Sequence, residues 1–243
     1  MTRRAGRRVV PVALLASFAL AAAVPPARAA DTTSVKPTDK EIARAGVLVL
    51  SDFPESWTQS KRSKSSDAVL DAAAAKIKAC APFRAFSTAN KRNPHATAPN
   101  FDHEKSNVTN AVSVYPTTTK AIAAMRTFAD TRLPKCLERL FSGVFDAQLA
   151  KNKKLAKQIR SVATNIAPVD GVRIGDQAVV YQGTVDVALK NGTTQRIGLG
   201  VLTVRVGDAL LGYSYTADTD ISAALQPAIV ASVDRLQTAK SAT

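Results

Sequence analysis

Two periods organise the apolar residues of this chain, and the cleaner of them lies in the C-terminal third. From Val179 the odd positions Val179, Tyr181, Gly183, Val185, Val187 and Leu189 stand against Gln182, Thr184, Asp186 and Lys190. That is the alternation of a half-buried strand. Asn191-Gly192 follows, the dipeptide that best favours a tight hairpin turn. The next run, Gln195 to Val206, is nearly apolar on both faces, as a central strand would be. Gly207-Asp208 makes a second turn, and Ala209 to Thr216 returns as a third strand. The pattern predicts an antiparallel meander. A last helix, from about Pro227 to Thr238, carries Ile229, Val233 and Leu236 on one face.

Earlier in the chain the helical period takes over. Ser66 can cap a helix running to about Ala79, with Leu70, Ala73, Ala74, Ile77 and Cys80 on its apolar face. Asn107 to Tyr115 alternates, with Val108, Val112 and Val114 facing one way and Thr109 and Ser113 the other. Pro116 ends that strand, and Thr117 or Thr118 caps a helix carrying Ile122, Met125 and Phe128. Pro134 suits the first turn of the next helix, which runs to about Lys151 with Cys136, Leu140 and Val144 on one face. Between these elements the stretch from Ser87 to Ser106, with Pro94, Pro99 and both histidines, reads as a polar loop. Residues 30–44, polar and containing Pro37, read as a flexible linker. Helices before and after a contiguous antiparallel sheet predict a single α+β domain over 45–239, its sheet flanked by helices.

The first 29 residues belong to export. Arg3, Arg4, Arg7 and Arg8 precede an uncharged run from Val9 to Val24, and Ala27-Arg28-Ala29-Ala30 supplies a small-x-small cleavage pattern. This order is that of a secretory signal peptide, cleaved after Ala29 or Ala30. The run is 16 residues long and contains Pro11, short for a membrane span. A secreted product with no integral membrane anchor is therefore expected. Of the formal +14, five charges are arginines of this segment, which leaves +9 on the mature chain. The densest remaining basic run is Lys151, Lys153, Lys154, Lys157 and Arg160. Such a run reads either as a solvated helix face or as a contact for anionic envelope polymers. Few aromatics are present to stack on bases, and nucleic acid is not an expected partner.

Two cysteines, Cys80 and Cys136, survive signal removal. An even count in an oxidising compartment and two inward helical positions predict a disulfide between them. Closing a loop of this length is worth roughly 4 kcal/mol in the chain-entropy model.

Catalytic signatures are missing from the places where their mechanisms would need them. His95 and His103 both lie in the polar stretch, with Asp102 and Glu104 beside His103. A metal site can be drawn there, but zinc needs three or four ligands converging from rigid elements. Asp52 and Glu55 read as turn residues. Trp57, the sole tryptophan, is either a core anchor or the wall of a pocket. The sequons at Asn107-Val108-Thr109 and Asn191-Gly192-Thr193 are weak signals. The expectation is a non-enzyme with no cofactor, no metal and no catalytic residue.

Taken in order, several short pieces resemble the PknH-like family, the extracellular sensor domains of actinobacterial receptor Ser/Thr kinases and their free-standing secreted relatives. They are Leu50-Ser51-Asp52-Phe53-Pro54 through Trp57, Cys80, Ser113-Val114-Tyr115-Pro116 and Leu133-Pro134-Lys135-Cys136. Ile174-Gly175-Asp176-Gln177 and Val204 to Leu210 complete the series. The resemblance implies a helix-flanked antiparallel sheet with a cleft suited to a ligand and no catalytic centre. It differs from the kinases in having one cysteine pair where their sensor domain has two bridges.

The expected function is a secreted binding or sensor-like domain that recognises a small molecule or a cell-envelope component. The alternative is an envelope-associated interaction protein that uses the basic surface. An extracellular hydrolase ranks last, and would require His95 or His103 to meet a serine or an acid on the sheet rim. Aromatics such as Trp57, Tyr181, Tyr213 or Tyr215 would line a binding pocket.

Overall fold

The computed structural model describes residues 37–62 and 64–242. The signal segment 1–29, with its Ala29 and Ala30 boundary, lies outside the described residues. In chain order the first elements are α1 (Asp39–Ala45), β1 (Thr58–Ser60), α2 (Lys64–Ala75) and α3 (Ala81–Arg92). Next come β2 (His95–Thr97), β3 (Asn100–His103), β4 (Ser106–Val114), α4 (Thr118–Phe128), α5 (Leu133–Lys151) and α6 (Lys153–Ala156). The chain ends with β5 (Ile159–Val169), β6 (Gln177–Leu189), β7 (Thr194–Val206), β8 (Ala209–Ala217) and α7 (Ser222–Ser241).

Among the described residues the strands form one antiparallel sheet, in the order β1-β3-β4-β8-β7-β6-β5, with β2 beside β3 on the same edge of β4. The meander of β6, β7 and β8 is as the alternation predicts, and β4 joins it through β8. The fold is α+β. Helices cover both faces of the sheet. Val108, Val112, Leu202, Val204, Leu211 and Tyr213 enter a core closed by Ile42 of α1 and by Leu225, Ile229, Val233 and Leu236 of α7. The other face buries Tyr181, Val185, Val187, Leu199 and Leu210 under Phe86, Met125, Phe128, Leu137 and Leu140. This double covering is why β7 from Ile197 to Val204 carries no polar residue but Thr203.

Several boundaries differ from the sequence expectation. The linker expected over 30–44 is helical from Asp39: Thr38 and Glu41 form a capping box, and Ile42 and Ala43 are buried. Two apolar residues after a matched cap are enough to dock this helix of about two turns against the sheet. Ser66 does not cap the next helix, because α2 already begins at Lys64. That helix ends at Ala75, and Cys80 lies in a short 3₁₀ turn at the start of α3, whose first turn holds Pro82. The polar stretch 87–106 is the end of α3 followed by β2 and β3. Its polar residues are the outward side of short elements whose buried members, Phe86, Ala98 and Phe101, are few. β5 has no counterpart in the sequence pattern; it is an edge strand with a register shift at Arg160 that interrupts its alternation. Finally, α7 starts at Ser222 and carries Pro227 inside.

Cross-links pin these layers. Cys80 and Cys136 form the expected disulfide, both fully buried, tying the start of α3 to α5. Asp52 is not a simple turn residue. Its carboxylate accepts from Arg235 of α7 at 2.6 and 2.8 Å, and the same guanidinium donates to the carbonyls of Ala45 and Val47. Asp176 accepts from Arg205 at 2.9 Å and from the Gly207 amide at 2.6 Å. Gly175 stands beside it at φ +60, where a Cβ would lie 2.6 Å from the Arg205 carbonyl oxygen. Two of the resembling motifs therefore meet as one structural lock.

Candidate functional site

The helix-covered face of β4 and β8 is not filled. Three consecutive pairs across β4 and β8 are small or polar there: Asn107, Thr109 and Ala111 against Thr216, Ser214 and Gly212. The helices above them cannot close on a core, and a cleft of about 400 Å³ remains between α2, α3, α5 and the sheet. Its roof is Leu70 and Asp71 of α2, Phe83, Ser87, Asn90 and Lys91 of α3, and Leu137, Leu140 and Phe141 of α5.

The polar groups of the cleft are mostly engaged. Thr109 Oγ1 and Ser214 Oγ lie 2.7 Å apart, so one hydroxyl proton joins them and the other is left to point away. Ser113 Oγ donates to the Asn90 carbonyl at 3.3 Å, and Tyr115 donates to Asn90 Oδ1 at 2.5 Å. Burial pushes the Tyr115 phenol up to about 12, so it stays a donor at all ordinary pH. At the rim Lys91 bonds and pairs with Asp71, which also accepts from Ser87 at 3.4 Å.

Only some of the residues singled out in the sequence meet here. His95, expected in a loop, is on β2 and lines the cleft, directly opposite Ser113 of β4. Its Nδ1 lies 2.9 Å from the Asn93 carbonyl, which makes that nitrogen the protonated one. With Ser113 turned to Asn90, the pair is not arranged as nucleophile and base. His103 is elsewhere, stacked on Trp57 at 5.5 Å between ring centres. Trp57 is a core residue, stacked also on Phe53 at 4.7 Å. Tyr181 is core as well, its hydroxyl donating to the Phe128 carbonyl at 3.1 Å. Tyr213 and Tyr215 belong to a floor strand and contribute to the lining of the cleft, while also packing in the core on the α7 side. The Tyr213 hydroxyl pairs with Ser232 of α7 at 2.5 Å, and burial raises its pKa strongly. The two phenylalanines that line the cleft, Phe83 and Phe141, carry no sequence signal beyond ordinary helical spacing.

The basic run is dispersed over several elements. Lys151 ends α5, Lys153 and Lys154 lie in α6, Lys157 follows, and Arg160 is the extra residue of the β5 bulge. All five are exposed, and the Lys190 amide bonds to the Gln158 carbonyl, which adds a sixth exposed cation to this end. Among the described residues no group of three or more His, Cys, Asp or Glu is placed to hold a metal ion, and no helix is long and apolar enough to cross a membrane.

No family model matches this chain, and no curated protein matches it. Among solved structures it is similar to the extracellular domain of PknH from Mycobacterium tuberculosis. The identity is 15%, the match covers 83% of this chain and 98% of that one, and the TM-score is 0.43. It is also similar, over 54% of this chain and 64% of that one, to the Ran-binding protein Mog1p of Saccharomyces cerevisiae, at 15% identity and a TM-score of 0.15.

Proposed function

We propose that the protein is a secreted, non-enzymatic binding domain whose cleft between the sheet and α2, α3 and α5 holds a small molecule. The observation that carries this reading is the floor of β4 and β8. Three consecutive cross-strand pairs there are small or polar, whereas Val185, Val187, Leu199 and Leu210 on the same face are aliphatic. A sheet face that served only stability would be filled like its neighbours. The volume falls within the usual range for small-molecule sites. Secretion is supported by the N-terminal export pattern and by the buried disulfide.

Mass spectrometry of the protein purified from its secreting host tests the reading. Gly212→Leu is the control, because a Cβ at Gly212 meets nothing closer than 3.8 Å and the larger side chain projects into the cleft. The wild type is expected to carry a small molecule that the folded variant lacks. A ligand-free wild type, or the same ligand on both, refutes the cleft as its site.

A second reading rests on the bulge at Arg160, since bulges re-aim side chains. In that reading the exposed cations at this end adsorb to anionic envelope polymers. Replacing Lys151, Lys153, Lys154 and Lys157 by Gln should abolish salt-sensitive retention on a polyphosphate matrix and leave the melting temperature unchanged. Equal retention removes this reading.

A further inference from the structure

Given the cleft as the binding site, we infer the chemical class of its occupant: an uncharged amphiphile, an apolar body with a neutral oxygen-bearing head. The Asp71–Lys91 pair at the rim is the device that discriminates against ions of either sign.

The body follows from the apolar part of the lining. Leu70 of α2, Phe83 of α3 and Leu137, Leu140 and Phe141 of α5 line the roof, and Val201 of β7 extends the floor below them. Such a surface gains free energy by covering carbon. The head follows from the hydroxyls of the floor. Thr109 Oγ1 and Ser214 Oγ lie 2.7 Å apart and share one proton, which leaves the second proton and the remaining lone pairs for a ligand. An alcohol, ester or ketone oxygen bonds to such a pair and sacrifices no charge hydration in doing so.

The absence of charge on the head follows from how the charged side chains of the lining are already used. Lys91 of α3 bonds and pairs with Asp71 of α2, and the other carboxylate oxygen of Asp71 accepts from Ser87 at 3.4 Å. Arg62 is engaged as well: it donates to the Asn110 carbonyl at 3.5 Å and is held by a further contact. A carboxylate that approached Lys91 would therefore meet the like charge of Asp71 beside it, and an ammonium that approached Asp71 would meet Lys91. Either ion gives up water without gaining a counter-charge of its own, which is the unfavourable case for an ion in a cleft. Selectivity built in this way works by rejecting the wrong ligand as much as by holding the right one. The two side chains are 55% and 42% exposed, so water screens the pair and each charge weighs on the choice by a modest factor.

The test uses the secreted protein at about pH 8, where carboxylates are ionised, with the neutral apolar dye N-phenyl-1-naphthylamine as reporter. Decanol, decanoate and decyltrimethylammonium displace it in turn. Decanol is expected to displace the dye at least about tenfold more tightly than either ion. Any apolar surface would give that order, so the rim variants decide. Asp71→Asn leaves Lys91 without its carboxylate and should tighten decanoate about threefold while the cation does not improve. Lys91→Gln should tighten the cation and not decanoate. The double variant should return both ions to their wild-type weakness, and decanol should bind alike in all four proteins. Far-ultraviolet dichroism identical to the wild type certifies each fold, and if one single variant fails that check the other carries the test. Ions that bind as tightly as decanol, or single variants in which neither ion responds or both respond alike, overturn the neutral class and leave the cleft standing. Dye binding that persists unchanged in Gly212→Leu, or an absence of dye binding in the wild type, overturns the cleft and this inference together.

Discussion

Replacing Arg235 by Met is the most informative single perturbation of the fold. Four hydrogen bonds leave this guanidinium: two to Asp52, one to the Ala45 carbonyl and one to the Val47 carbonyl. The methionine chain keeps the packing of the stem and removes every donor. Asp52 is then stranded, with a side chain only 4% exposed and the Val49 amide, at 2.9 Å, still donating to it. Breaking a fully buried pair in this way costs about 3–5 kcal/mol. Here the guanidinium is 35% exposed, so solvent already screens part of the attraction and water can reach part of the gap. A cost of roughly 2–4 kcal/mol follows. In a domain of this size that is a fall in melting temperature of about 5–12 °C. Urea unfolding of Arg235→Met, Asp52→Asn and the double variant measures it, and the cycle isolates the coupling. The double variant should be at least about 1 kcal/mol more stable than the two single losses added together, because it no longer buries an unpaired charge. Single losses below about 0.5 kcal/mol, or strictly additive ones, would show that the clasp is an ordinary surface pair.

Two further outcomes follow from burial. All four tyrosines have pKa values raised chiefly by burial, Tyr115 to about 12. The unfolded chain loses these protons near pH 10 and the folded one later, so stability is fully present below about pH 10 and falls as the pH rises toward 12. Tyrosinate absorbance should therefore lag behind that of free tyrosine until unfolding releases it, and a titration half complete near pH 10 with the fold intact refutes this. Changing Cys80 and Cys136 together to Ser should cost about 2–5 kcal/mol, since both are fully buried and each hydroxyl would lie among apolar neighbours. Chemical denaturation measures that loss, and a double variant as stable as the wild type would mean that the bridge restrains nothing.

The parts of the fold that were legible are those where one period dominates. β6, β7 and β8 could be read because Val185, Val187 and Leu199 are buried at regular spacing and two glycine-containing turns separate the strands. β5 escaped because it lies at the edge of the sheet. Only Ile166 of its residues is fully buried, and the bulge at Arg160 shifts the phase between Ile159 and Val162. The signal for α1 is Thr38 and Glu41 ahead of the apolar pair Ile42 and Ala43, but it is short and follows a proline. The cleft was not legible at all. Thr109, Ser113 and Ser214 look in sequence like the solvent side of half-buried strands, and nothing local tells that α3 and α5 pass over them. Their polarity is plain in the sequence, and its location is not.

The arrangement of the ends has a consequence for how the molecule would stand if held. α1 and α7 belong to one layer, clasped together through Asp52 and Arg235, and the cleft opens on the opposite face of the sheet. A tether joined near Pro37 or near Ala242 would thus grip the same side of the body, and the cleft would face outward from whatever surface the tether is fixed to. Immobilising the protein at a site near Pro37 or near Ala242 should leave its cleft accessible, whereas coupling through a lysine such as Lys91 would turn it toward the support.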